Sequence, residues 1–474
     1  MQWKRSGGAL LCGSALLLAC SDEESILLDQ TGQLATEAAL PQTLFVAHEG
    51  SLVSYDLESG EERPGAVQGV STPTDMQALA DGTLLVNLTD QNHVLIVDPT
   101  SMLEIARVHT SFATAQRPVH SYISPERSGK SYWLALNDGT GGEAATNSAA
   151  FLDITPGSDR YLQHVGEAQV GIGHHKASFS ATRERVVISN IADCERVLGV
   201  YDYSDIRNIQ EVATWSAADA GWDSSSFAKT CDPTYQMGVP PAPHGCATSK
   251  LSGKAYCNLT GSGDLVVVDL DADEPTFRSV PSQGSGGGYT KASHDGRYIY
   301  SLESEPREGS GGNVCQVGQL VVLDASTDSV VAQLPLGYLG RDCQQSLAGT
   351  DEETTEPSHS LISEDGNKLF ITLAGGFEVE SARVRQHVVV DISDPAAPVQ
   401  QPSIPVGAST GYHGDSLSGD GRWLFIANNL DGTVTQIDAA TDDVVRTWNV
   451  EAKPEVLATF GTREGPSVQT GPIH

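Results

Sequence analysis

The 474-residue sequence predicts an all-β chain built from one repeated four-stranded unit. Three observations predict it. Short runs rich in Val, Ile, Leu and Tyr alternate with clusters of Gly, Asp and Asn, the punctuation of antiparallel hairpins. No long segment places apolar residues at helical spacing. One stretch also recurs: Arg117-Pro118-Val119-His120 leads to Ser128-Gly129-Lys130 and the apolar run 132–136, while Pro241-Ala242-Pro243-His244 leads to Ser252-Gly253-Lys254 and Ala255-Tyr256-Cys257. Repeated units share one continuous core, so the repeat overrides a domain count taken from length.

The first residues read as an address. Lys4 and Arg5 precede an apolar stretch, Ala9 to Leu18, that is too short to span a bilayer. Leu17-Leu18-Ala19-Cys20 resembles the lipobox of bacterial lipoproteins, in which cleavage leaves the Cys as a lipidated first residue. The resemblance implies a signal peptide over 1–19, lipidation of Cys20, and a periplasmic or cell-surface domain anchored by acyl chains. Ser21 after the Cys favours the outer membrane. Residues 20–42 are polar and acidic and read as the lipidated Cys with a flexible tether, 43–460 as the repeat domain, and 461–474 as a disordered tail.

The last unit is the plainest. Asp420-Gly421 is followed by an apolar strand ending in Ala427-Asn428-Asn429, then by a strand ending in Ile437-Asp438. These residues resemble the "YVTN" class of β-propeller repeat. Asp98, Asp269, Asp324 and Asp391 end matching third strands. Taking Asp75, His120, His174, His244, the Gly287–Tyr289 region, His359 and His413 as starts of first strands gives seven blades. Residues 43–68 supply later strands of one more, and residues 453–458 read as its missing first strand. Eight blades closed by that C-terminal strand are therefore expected, with seven as the alternative. Closure leaves no open sheet edge. Extra residues fall after Asn190, between Ser216 and Pro243, over 303–317 and over 341–356, and they are expected to form loops on the face carrying the histidines.

Six cysteines remain once Cys12 and Cys20 are set aside, an even number in an oxidising compartment. Repeat positions pair Cys194 with Cys231, Cys246 with Cys257 and Cys315 with Cys343. The competing pattern joins Cys231 to Cys257 and Cys194 to Cys246. The net charge of −33, from 61 acidic and 28 basic residues, argues against nucleic acid as a partner. It also describes a well-solvated acidic surface.

In a propeller the first strand of each blade lines the central channel. His120, His174, His244, His359 and His413 would therefore rim it, with Asp75 at the same address in blade two. His175 lies beside His174, and Asp415 follows His413 on the same side of its strand. Imidazoles with a carboxylate suit Zn²⁺ or Cu²⁺, and binding should weaken as pH drops through about 6.5. Two subsets are the natural sites: His120, His174 and His244 from consecutive blades, and His359 with His413 and Asp75. The bland alternative is that these histidines cap strands and bind channel water, or hold a small anion. His48, His93, His109, His164, His294 and His387 read as surface or strand residues.

Pro118-Val119-His120, Gly173-His174-His175, His244-Gly245 with Cys231 and Cys257, and Tyr412-His413-Gly414-Asp415 together resemble the periplasmic zinc-metallochaperone (AztD-like) propellers. That resemblance implies zinc delivery or storage, with a periplasmic metal-binding protein as partner. A second class is a copper-dependent oxidoreductase, since copper thiol oxidases and nitrous oxide reductases are also His-lined propellers. Against it stand only 4 Met and no Cys set that would support a copper cluster. A third is a surface scaffold that binds a protein through its looped face. No nucleophilic triad and no phosphate-cradling Gly loop is present.

Overall fold

The computed structural model describes residues 26–28, 34–36 and 43–459, apart from 80, 113–116, 140–145, 220–242, 260–263, 282–288, 309–313, 337–355, 375–383, 410–413 and 451–452. Eight antiparallel sheets follow one another as the blades of a propeller. Blade two runs Pro73–Ala78, Leu84–Leu88, His93–Asp98 and Leu103–His109; blade three runs Pro118–Ile123, Tyr132–Asn137, Ser148–Asp153 and His164–Gln169. Blades four, five, six and eight repeat the order from His175, Pro243, Thr290 and Asp415. In blade seven the outermost place is shared by Val399–Gln400 and Ile404–Ser409, both paired with Val384–Asp391.

Blade one closes the ring. Its first strand is Pro454–Thr459, paired with Thr43–His48 through Leu44↔Thr459 and Val46↔Leu457. Gly50–Asp56 and Val67–Val70 complete it. The seam to blade eight buries Leu44, Val46 and Leu457 against Phe425, Val434 and Trp448. The Trp448 indole N–H donates to the Gly60 carbonyl at 2.6 Å, and the Arg446 guanidinium donates to that of Glu58 at 2.9 Å. The expected closure is thus present, and so is the expected count of eight.

Burial falls from the axis outward. Second strands such as Tyr132–Asn137 and Arg185–Asn190 are buried along their whole length, whereas the outer strand Leu103–His109 is largely exposed. The apolar seams lie between blades: Leu85 and Ile96 of blade two pack on Trp133 and Leu152 of blade three. Buried Asn residues near the ends of second strands tie successive blades together. The Asn87 amide donates to Val119 O and the Asn258 amide to Leu302 O, each at 3.3 Å. Asn428 of the repeat signature instead braces its own blade, its amide donating to the Thr433 and Thr435 hydroxyls at 3.0 and 2.8 Å.

One expectation changes, and one stretch gains detail. Of the stretch 303–317, the described residues 303–308 and 314–317 are paired strand and not loop. The strands Tyr298–Glu308 and Val314–Asp324 continue pairing through Glu303↔Gln319 as far as Glu308↔Val314. Within the stretch read as a tether, Ile26–Leu28 and Leu34–Thr36 pair as a short hairpin.

Cys246 and Cys257 face one another in register on neighbouring strands and are disulfide-bonded, as expected. Cys194 is disulfide-bonded too. Cys20, Cys231 and Cys343 lie outside the described residues, and Cys315 is described only as part of a strand. Among the described residues no helix is long and apolar enough to cross a membrane.

His387 lies buried in blade seven, and its Nε2 has no hydrogen-bond partner among the described residues. Burial pushes its pKa down to about 3. The unfolded chain therefore takes up a proton near pH 6.5 that the folded one refuses. Stability should fall by about 1.4 kcal/mol per pH unit between about 6.5 and about 3 from this group. Urea denaturation of His387→Gln beside the parent should show a shallower acid limb; parallel limbs would remove His387 as the cause.

Candidate functional site

The repeat sets an address on each first strand. Pro opens that strand in blades two, three and five and is its second residue in blade seven, and a register shift follows it between Pro73/Asp75, Pro118/His120, Pro243/Gly245 and Pro357/His359. Pro has no N–H to give to the ladder, so a bulge at that point is expected, and a bulge re-aims the next side chain. The far end of the address is a turn closed by the amides of Ser124, Ser180, Ser249, Ser293, Ser363 and Ser418. The fourth residue before each of these is His120, Lys176, Gly245, Tyr289, His359 and Gly414. Lys176, and not His174, is therefore the blade-four counterpart of His120. Gly245, and not His244, is the blade-five counterpart. Spacing alone missed this because His244 falls inside the blade-five bulge, between Pro243 and Gly245, and blade four reaches the position with no register shift between its first two strands.

The rings nevertheless converge. His120 to His174 is 4.4 Å between centroids, His174 to His244 5.5 Å, His244 to Tyr289 5.1 Å, and Tyr289 to His359 4.4 Å. Five rings from blades three to seven form one continuous arc. Its tightest point is blade three against blade four, where His120 Nε2 and His174 Nε2 are 2.7 Å apart. On the other side of His174, Nδ1 lies 2.6 Å from Asp138 Oδ2. Lys176 Nζ reaches His120 Nε2 and lies 4.1 Å over the Tyr289 ring.

Local structure holds each group. Asp138 follows the strand Tyr132–Asn137 directly, and its amide donates to Arg117 O at 3.0 Å. Gly173 places His174: its φ is +107° and its amide donates to Asn147 Oδ1 at 3.2 Å. The His174 carbonyl accepts from Ile191 N at 3.1 Å.

Burial dominates the electrostatics. It holds His174 well below the usual imidazole range, with the Lys176 and Arg117 charges adding to the effect. It also holds Lys176 well below the ordinary amine range. It raises the Asp138 carboxyl to about 7. When Asp138 is ionised, His174 donates its Nδ1 proton to it, and the Nε2 lone pair of His174 then points at His120.

The other predicted residues divide. His175 commits Nδ1 to Ser189 O at 3.2 Å and Nε2 to Asn147 Oδ1 at 3.1 Å, so it braces the loop behind the site. Asp75 is fully buried and accepts from the Ser121 amide at 2.8 Å and its hydroxyl at 3.0 Å, stitching blade two to blade three. His359 faces the Ser358 hydroxyl through Nδ1 at 2.8 Å and stacks on Tyr289. Asp415 accepts from Thr372 Oγ1 at 2.7 Å, across the ring from the His120–His174 contact. His413 lies outside the described residues. Among the described residues, no group of three or more His, Cys, Asp and Glu side chains stands close enough together to hold a metal. The closest set is two imidazoles in contact, with a third ring adjacent.

Asp138, Lys176 and Tyr289 were not predicted. Lys176 sits on the strand His175–Phe179, one residue into it, while His174 precedes the strand, so spacing from the histidine passes over it. Asp138 belongs to a neighbouring blade, and nothing in its local sequence marks it.

Solved propellers share this architecture. The apo structure of AztD from Citrobacter koseri is similar over 88% of this chain and 96% of that one, at 13% identity and a TM-score of 0.53. Hydrazine synthase from Kuenenia stuttgartiensis aligns over 79% and 97%, at 16% identity and 0.51. The periplasmic gluconolactonase PpgL of Pseudomonas aeruginosa aligns over 88% and 98%, at 16% identity and 0.50. At such identities the likeness establishes the fold. No protein-family model and no curated relative matches the sequence.

A Cβ at Gly173 would lie 2.8 Å from the Ala192 backbone and side chain, whereas one at Gly129, φ +73°, would meet nothing within 4 Å. Both substitutions carry left-handed strain of about 1–2 kcal/mol. Gly173→Ala should therefore be destabilised well beyond Gly129→Ala in thermal denaturation. Equal losses would mean that the loop carrying His174 is not held by this contact.

Proposed function

We propose that this protein is an exported, lipid-anchored carrier or store for a divalent transition metal, zinc in the first place, held as cargo at His120 and His174 with His244 as the adjacent third ligand. The observation that carries the reading is the approach of His120 Nε2 and His174 Nε2 to 2.7 Å, with Asp138 behind His174. A carboxylate on the far nitrogen of a histidine is the usual outer-shell partner of a zinc ligand. It fixes the tautomer and leaves Nε2 basic.

The donor set fits a borderline metal. Burial keeps His174 neutral, which is the form that ligates. Two nitrogens sharing zinc at about 2.0–2.1 Å stand roughly 3.3 Å apart in tetrahedral geometry. The pair must therefore open by about half an ångström, a side-chain adjustment. The AztD fold likeness supports the reading, as does the earlier resemblance of His120, His174 and His244 to the zinc-metallochaperone propellers. Cys20 would tether the domain to the outer membrane, and a soluble periplasmic metal-binding protein is the natural recipient. Copper is the second candidate for the same donors.

Elemental analysis of untagged protein, followed by zinc titration, tests this directly. The parent should carry or take up one zinc. His120→Ala and His174→Ala should each weaken binding about a hundredfold, and Asp138→Asn about ten- to a hundredfold. His175→Ala should weaken it far less. Copper with redox turnover would move the assignment to an oxidoreductase. Protein that takes up neither metal would end it and leave the scaffold reading.

A further inference from the structure

The cluster contains a residue that a metal site does not ordinarily include. Lys176 is 1% exposed, yet its Nζ lies against His120 Nε2 and over the face of Tyr289. It stands at the same first-strand address as His120, Tyr289 and His359, so the propeller aims it into the space that those rings surround. Asp138 and Asp75 are the carboxylates whose charges act on it.

Asp138 holds His174 at Nδ1, and His174 Nε2 lies 2.7 Å from His120 Nε2. Lys176 Nζ stands against that same His120 Nε2, so it covers a nitrogen that a metal would take.

Resting on the metal reading above, we infer that the Lys176 amine is a tethered occupant of the metal's seat and must be displaced before metal binds. An incoming divalent ion takes the His120 and His174 nitrogens, and the Lys176 amine withdraws. The Tyr289 face, already in contact at 4.1 Å, is the surface it withdraws along. Lys176 is then a specificity-determining residue that holds affinity down. A carrier needs this, because cargo bound too tightly cannot be passed on.

The test is competition titration of zinc against a chromophoric chelator, using full-length parent, Lys176→Met, Lys176→Arg and the double variant His120→Ala/His174→Ala. Thermal denaturation of each metal-free protein runs alongside. Lys176→Met should bind zinc at least about tenfold more tightly than the parent, and Lys176→Arg no more tightly. A merely structural lysine would move affinity the other way, because its loss would loosen the site. If Lys176→Met does not fold, Lys176→Gln takes its place. Unchanged or weaker zinc binding in a folded Lys176→Met or Lys176→Gln protein overturns the inference while leaving the metal reading standing. Absence of zinc binding in the parent and in every Lys176 variant removes both. Zinc bound equally by the double variant also removes both, because the metal would then sit elsewhere.

Discussion

Everything at the centre of this molecule depends on one antiparallel pairing, that of Pro454–Thr459 with Thr43–His48. The two strands come from opposite ends of the chain. Without their ladder the propeller is an open arc with two unsatisfied edges, and the positions of blades three to seven relative to one another are no longer fixed. The pairing is reinforced where closure is most exposed to fraying. Trp448 and Arg446 reach back to carbonyls of blade one, and Leu457 is buried in the apolar seam between blades one and eight. A circular constraint converts a local repeat into a long-range arrangement.

What that constraint assembles is a polar interior in a strongly acidic protein. His120, Lys176 and Asp75 are each nearly or fully buried, and burial moves the pKa values of Lys176 and Asp75 toward neutral forms. Such groups are costly to bury unless they satisfy one another. Here they do so in a chain: Asp138 with His174, His174 with His120, His120 with Lys176, and Lys176 over Tyr289. A structural role alone would be met more cheaply by apolar residues of similar volume. Under the proposed function, the two converging imidazole nitrogens backed by a carboxylate are the part of this chain that meets the cargo.

The sequence revealed the repeat, the closing strand and the Cys246–Cys257 bridge, because each depends on periodicity or on adjacency within one hairpin. It marked the repeated first-strand position that His120 and His359 occupy, and the rings of His174 and His244, which stand off that position, join the same arc. It did not reveal which histidine of the His174-His175 pair faces the arc. That choice rests on Gly173 and on Asn147, which holds His175 from a neighbouring blade. It also hid Lys176, since an alignment on histidine passes over the residue that occupies the address in blade four. Asp138 became visible only when blades three and four were placed side by side. Residues separated by dozens of positions meet through geometry that no local window contains.

X-ray absorption at the zinc edge of zinc-loaded protein tests the central claim most directly, because it reads the ligands and not merely the binding. The account predicts a nitrogen-containing first shell at about 2.0–2.1 Å with outer-shell scattering from at least two imidazole rings. A first shell of oxygen alone, with no imidazole scattering, would contradict it.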